Sequence, residues 1–343
     1  MAGWQKSLNI EPMDQENVQV TFFRHIRSLL PPHVSLVDEI ADILDISTDS
    51  AYRRIRAEKP ISLEELQKLS LRFKISIDQL LHLQSTSLVF AGNMVDETGF
   101  TYTHYLQDLL RQFQAMNSFS DRHLYALAKD ITPMHHFQVP ELAAFRGFFW
   151  RKSILYYNEF RGKKFSPADI QDDHIELTGK IVDAWCKVPT TEIWNIETVN
   201  STLRQIRFYR DTGVFSAGTD AQVLYEKLGQ LIDHIEKQAE LGVKFRIGQK
   251  PAPDAAPYIL LNNELILGDN TFFCELDHTR VTYINHSIIN YMMTRDEQYN
   301  NYMHGALQNL IRKSTQISSV GEKERSRFFN RIREKLHQAM GGV

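Results

Sequence analysis

The sequence predicts a mainly α-helical protein: a unit of five short helices, then a large, mostly helical body with a small antiparallel β-meander near residues 258–285. Three observations lead there. Glycine and proline are scarce, 16 and 11 in 343 residues, so helical periodicities run with few breaks. Residues 15–84 carry polar helix-capping residues between short apolar stripes. At GQKPAPDAAP (248–257) three prolines forbid a continuing helix, and β-prone runs follow. The length gives two or three domains at about 150 residues each. The boundaries read as 15–84, a linker or crossing strand at 85–100 containing Gly92 and Gly99, and a body at 101–343.

In the first unit, Val20, Phe23, Ile26, Leu29 and Leu30 stripe a helix that Pro31-Pro32 ends. Ser35 caps a second helix whose apolar face is Leu36, Val37, Ile40, Ala41, Ile43 and Leu44. After a tight turn at Asp45-Ile46, Ser47 caps a third, Thr48 to about Glu58. Its few large apolar residues, Ala51, Tyr52 and Ile55, stand among Asp49, Ser50, Arg53, Arg54 and Arg56. A short polar helix after a tight turn is the pattern of a helix-turn-helix. Ser62 and Glu65 make a capping box for a fourth helix with Leu63, Leu66, Leu69 and Phe73, and Ser76 opens a fifth with Ile77, Leu80 and Leu81.

In the body, helices are predicted at Tyr102–Met116, Ser120–Lys129, Pro140–Phe160, Ser166–Val188, Ile193–Asp211 and Asp220–Gly242. The meander is read at Tyr258–Leu261, Glu264–Leu267, Phe272–Leu276 and Arg280–Ile284. Helices resume at Ser287–Met293, Arg295–Ser314 and Glu322–Met340. No repeat of fixed period appears.

The run from Ser35 to Leu81 resembles the lambda-repressor/Cro-type (XRE) DNA-binding domain of bacterial transcriptional regulators, and with the helix before it the resemblance covers about 65 of 343 residues. Ala41 matches the small residue of the first motif helix, and Leu44 and Ile46 match the apolar residues flanking the turn. Ala51 matches the apolar position of the recognition helix, and Ser76-Ile-Asp-Gln-Leu-Leu81 matches the closing phrase. Two positions depart: Asp45 stands where the family has glycine, and Val37 and Ser47-Thr48 stand where glutamines often open the motif helices.

The resemblance implies double-stranded DNA as a partner, read by a helix in the major groove, and a homodimer in which the C-terminal body dimerises. Thr48, Asp49, Tyr52, Arg53 and Arg56 then face outward. Arg53 suits guanine and Asp49 a cytosine amino group. Ser47 and Ser50 lie at the helix start, Arg54 and Lys59 suit phosphate, and Ser35 meets phosphate through the backbone at a helix N-terminus. Residues 15–84 hold nine basic and ten acidic groups, so positive potential is a local patch and one copy neutralises few phosphates.

Elsewhere the chemistry is sparse. His135-His136 and Asp172-Asp173-His174 suggest a metal, but adjacent helical histidines point about 100° apart and cannot share an ion. No metal and no cofactor is expected. Cys186 and Cys274 lack the neighbours of a redox or nucleophilic site, and no nucleophile elbow, Walker loop or dinucleotide fingerprint occurs, so no enzyme is expected. Two cysteines, no signal-peptide core and no charge-free apolar run lead to a reducing, cytoplasmic expectation without a membrane.

Eight aromatics between Phe137 and Phe160 suggest a central core helix. Arg146, Phe149, Trp150 and Arg151 there form a candidate pocket for a small-molecule or peptide effector, anionic if the arginines greet it. The basic stretch 312–335 reads as a docked, solvated terminal helix, with DNA-backbone contact as the alternative. Two other functional classes compete: a peptide-sensing helical-repeat body of the quorum-sensing type, and a protein-interaction module whose helix-turn-helix has lost DNA binding.

Overall fold

Four helices open the computed structural model, and each begins where a short polar side chain accepts a hydrogen bond from the exposed first turn. The structure describes residues 17–77, 88–92, 99–168, 170, 174–265, 270–285 and 289–341. The chain forms two units, Met1–Val89 and Phe90–Val343.

In the first unit, Asn17 caps α1 (Val18–Leu29) and Ser35 caps α2 (Leu36–Leu44). Ser47 caps α3 (Thr48–Ile55), and the Ser62–Glu65 capping box opens α4 (Leu63–Phe73). Asp45 ends α2 in the left-handed region, φ 55°; its short polar side chain tolerates a conformation that bulkier residues avoid. The core is Phe22, Phe23, Ile26, Ile40, Ala41, Leu44, Ala51, Leu69 and Ile75. Ile40, Ala41, Leu44 and Ala51, read from the sequence as inward, are all buried. Leu63 is exposed at the start of α4 rather than part of its inner stripe. The expected fifth helix lies outside the described residues beyond Ile77.

The second unit differs from its prediction. Among the described residues it contains an eight-stranded mixed sheet in place of a small meander. Its strands are β1 (Ala91–Gly92), β2 (Arg122–Leu127), β3 (Thr190–Trp194), β4 (Tyr258–Asn262), β5 (Thr271–Leu276), β6 (Thr279–Asn285), β7 (Tyr291–Thr294) and β8 (Thr315–Gln316). They lie in the order β1-β7-β6-β5-β2-β3-β4-β8. Strands β2, β3 and β4 are parallel, and the remaining pairs are antiparallel. Thus β5-β6-β7 is a true meander, whereas β4 pairs with β3 and β8.

Helices α5 (Tyr102–Met116), α6 (Pro133–His136), α7 (Pro140–Phe149), α8 (Ile175–Trp185), α9 (Asn200–Asp211), α10 (Asp220–Leu241) and α12 (Glu322–Gly341) build the large core on one face of the sheet. On the other face α11 (Glu297–Arg312) buries Leu307 against Ile193, Leu261 and Phe273. The sheet excludes an all-helical repeat body.

The corrections share a cause. Ser120–Lys129 is the strand β2, and Ile193–Asp211 is the end of β3 followed by α9. A parallel strand covered on both faces reads as one buried run without alternation, and all five residues of β3 are buried. The helix read at Ser166–Val188 begins only at Ile175, and the one read at Ser287–Met293 ends in β7, with 286–288 outside the described residues. Part of the strand read at Glu264–Leu267 also lies outside them, and Glu264 and Leu265 are not extended. The helix read at Pro140–Phe160 is α7, then a π-helical turn at Trp150–Ile154 and a 3-10 turn at Asn158–Phe160, with Tyr156 at φ 53° between them. The aromatics of this segment do form core: Phe145 and Phe148 pack edge-on against Tyr209 at centroid distances of 5.7 and 6.0 Å.

Helix α10 ends on Gly242, whose positive φ of 68° closes the last turn. On it, His234 donates from Nε2 to the Phe245 carbonyl at 3.0 Å, and burial lowers its pKa to about 4. The folded state thus holds His234 neutral where the unfolded chain, near 6.5, takes up a proton. Its contribution is complete above about pH 6.5 and is lost as pH falls towards 4, by about 2–3 kcal/mol. Urea midpoints at pH 7 and 4.5 check this: His234→Gln is expected to lose less stability on acidification than the parent, and an equal loss would exclude His234 as the source.

Candidate nucleic-acid interface

Helix α3 presents one polar face. Thr48, Asp49, Tyr52, Arg53 and Arg56, spaced i, i+1, i+4, i+5 and i+8, are exposed, while Ala51 and Arg54 turn inward. Ser47 caps the helix through its hydroxyl, which accepts from the Ser50 amide at 3.3 Å. Its free first-turn N–H groups and positive dipole end favour an anion there. Arg56 lies at the C-terminal cap, 3.5 Å from Glu58 and with its guanidinium 5.5 Å from the centre of the Tyr52 ring. Lys59 and Ser35 are exposed, the latter as the N-cap of α2, and Ser50 is half-buried.

Arg54 departs from its predicted place at phosphate. Its side chain is 7% exposed and makes a two-point pair with Glu65, Nε to Oε2 at 3.0 Å and Nη2 to Oε1 at 2.6 Å. Nη1 donates to the Ser50 carbonyl at 3.2 Å. The guanidinium holds the Glu65 carboxyl below the usual carboxylate range, and the same carboxylate accepts from the Ser62 amide. Arg54 therefore ties α3 to the start of α4, with its guanidinium buried and engaged inside the unit rather than turned out towards a phosphate.

A second tie was not read from the sequence. Gln19 of α1 donates from Nε2 to the Arg54 and Lys59 carbonyls at 2.7 and 2.8 Å, and its Oε1 accepts from the Ile61 amide at 3.0 Å. Three bonds from one side chain anchor the loop that follows α3, in which Ala57 adopts φ 58°. The partners are 35 to 42 residues away, so no local signal marks them. Only the capping box at Glu65 was legible.

The candidate effector pocket is divided. Phe149 lines an open cleft of about 520 Å³ with Lys129, Asp130, Glu197, Asn200, Ser201, Arg204, Gln205 and Phe208. Arg146 and Trp150 are buried and do not line it, and Arg151 donates to the Gly147 carbonyl with its guanidinium 4.6 Å from the Phe160 ring. Packing of α7 against α9 separates residues that neighbour each other in sequence.

His135 and His136 also separate, as helical geometry requires: the first donates to Glu192 and the second to Thr202. Among the described residues no group of three or more His, Cys, Asp or Glu side chains is placed to hold a metal ion. Asp172 and Asp173 lie outside the described residues. Burial raises the Cys186 and Cys274 thiols to about 11 and 12, which disfavours the reactive thiolate. On α12, Arg325 donates to the Ile317 carbonyl, Arg333 pairs with Asp233 and Glu236, and Lys335 pairs with Glu197. Arg325, Arg333 and Lys335, three of the eight basic groups in the C-terminal stretch, are thus engaged within the protein. No helix among the described residues is long and apolar enough to cross a membrane.

Residues 28–100 match the family described as the BetR domain, a helix-turn-helix-like DNA-binding domain. The match takes in α2, α3 and α4 and indicates a DNA-binding regulatory role. No curated protein and no solved structure matches the chain.

Proposed function

We propose that this protein is a sequence-specific transcriptional regulator of the lambda-repressor/Cro type that binds operator DNA as a homodimer and is not an enzyme. The observation that carries the reading is the exposed face of α3, held by its caps and by Gln19 and Arg54 inside a domain that matches a DNA-binding family. With α3 in the major groove, Arg53 is the residue for a two-point contact to guanine, Asp49 faces a cytosine amino group, and Tyr52 offers its ring to a thymine methyl. Lys59 and the α2 N-terminus at Ser35 meet phosphates. One copy brings few cations to this face, so two copies on paired half-sites supply the affinity.

Fluorescence anisotropy with a selected genomic site and a scrambled duplex, over 50–200 mM salt, tests this reading. Arg53→Ala is expected to weaken the selected site by about 1–3 kcal/mol, roughly 5- to 150-fold, with little change on the scrambled duplex. Lys59→Ala should weaken both alike and lower the salt slope by about 1 per copy. Equal binding of both duplexes, unaltered by Arg53→Ala, would refute sequence recognition. Light scattering giving only monomers, free and DNA-bound, would refute the dimer.

A further inference from the structure

The large core contains a buried cation that, among the described residues, makes no ion pair. Arg146, on α7, is 9% exposed. Among the described residues it donates one hydrogen bond, from Nη1 to His136 Nδ1 at 3.2 Å, and its Nε is buried with no acceptor. That bond requires His136 to be neutral, with Nε2 donating to Thr202 at 3.0 Å. Burial first, and Arg146 second, push the His136 pKa well below its usual value, in agreement. Among the described residues Arg146 makes no ion pair. Asp130 is near enough to favour the cation electrostatically, but its carboxylate accepts from the Asn270 amide instead.

Two more buried donors beside it lack acceptors, Trp150 Nε1 and Tyr105 Oη. The Arg146 guanidinium lies 4.7 Å from the Trp150 ring centre, and the Tyr105 ring lies 5.5 Å from Trp150. The Tyr291 ring stacks on Tyr105 at a centroid distance of 6.4 Å, and burial first, with Tyr291 beside it, raises the Tyr105 pKa well above its usual value. A small cleft of about 50 Å³ is walled by Tyr105 and Tyr291. Guanidinium and indole N–H groups can only donate. A water could satisfy the neutral donors but would leave the charge uncompensated, and buried charges are normally paired.

We propose that Arg146, Trp150 Nε1 and Tyr105 Oη form a buried oxyanion-binding site that takes a carboxylate or phosphate group entering beside Tyr105 and Tyr291. The planar fork of arginine matches both groups, and the narrow cleft, which Asp108 also lines, admits only a compact head group. This inference stands apart from the DNA-binding reading.

Thermal melting of the full chain tests it, with sodium acetate, sodium phosphate and sodium chloride titrated at matched ionic strength. Acetate or phosphate is expected to raise Tm saturably, by about 5 °C at a hundredfold excess over Kd, with a change in tryptophan emission from Trp150. The anion giving the larger shift identifies the head group. Arg146→Met should abolish the saturable shift, and Tyr105→Phe, which keeps the ring packing, should weaken binding about tenfold. If Arg146→Met does not fold, Tyr105→Phe and Arg146→Lys decide. A shift equal to that in chloride, a shift unchanged in Tyr105→Phe and the Arg146 variants (an adventitious ion only), or no response to either anion would each overturn the proposal.

Discussion

Arg54→Met is expected to destabilise the N-terminal unit by about 3 kcal/mol, the low end of the range for breaking a buried ion pair because Glu65 retains 20% exposure. The loss comes from Glu65, which keeps its charge and its bond to the Ser62 amide but loses its two-point partner. Adding Glu65→Gln should recover part of it, since the amide oxygen can still cap α4 and no charge is left unpaired. Urea denaturation of the two single variants and the double variant measures the coupling.

The same variant separates the two roles that Arg54 has been given. A phosphate contact would lower the salt slope of DNA binding by about 0.9 on its removal. A tether leaves the slope unchanged at temperatures where the domain is folded, while discrimination between selected and scrambled duplexes falls because α3 is less firmly aimed. The burial of Arg54 leads to the second outcome.

Glu192→Ala is expected to cost about 5 kcal/mol, comparable with the entire stability of a marginal domain. Glu192 is fully buried in β3 and accepts from His135 Nε2 at 3.0 Å, Trp194 Nε1 at 2.8 Å and the Tyr258 hydroxyl at 3.1 Å. Removing the carboxylate orphans these three donors, and the Thr132 hydroxyl that reaches it at 3.5 Å, in a dry core. Tyr258→Phe, which removes one of them and leaves the rest satisfied, should cost only about 1 kcal/mol. Burial alone would raise the Glu192 pKa, but His135 and the hydrogen bonds outweigh it and hold the carboxyl below its usual range. Its contribution is therefore present above the unfolded value of about 4.3 and is lost as pH falls below it. Comparable denaturation midpoints for parent and Glu192→Ala would show that this network carries no stability.

The recognisable half of the protein was the half built from short-range rules. Caps at Ser35, Ser47 and Ser62 act within three residues, so they could be placed without tertiary knowledge. The outward set on α3 followed from a 3.6-residue period against a core containing Ala51. The body resisted because β2 and β3 carry His123, Tyr125, Glu192 and Trp194, a mixture that fits a helix face as readily as a covered strand. Nor does residue type tell whether an arginine reaches solvent: Arg53 and Arg54 are adjacent, yet one is exposed and the other nine-tenths buried.

What the chain's local chemistry settled, then, was where α2, α3 and α4 begin and which way α3 faces. Those free energies arise between residues a turn apart and survive any arrangement of the rest. The order of eight strands, the Gln19 and Arg54 ties, and the buried charge of Arg146 depend on partners tens of residues away. Only the folded chain brings these together, because burial decides whether a polar group is solvated by water or must find its counterpart in the protein.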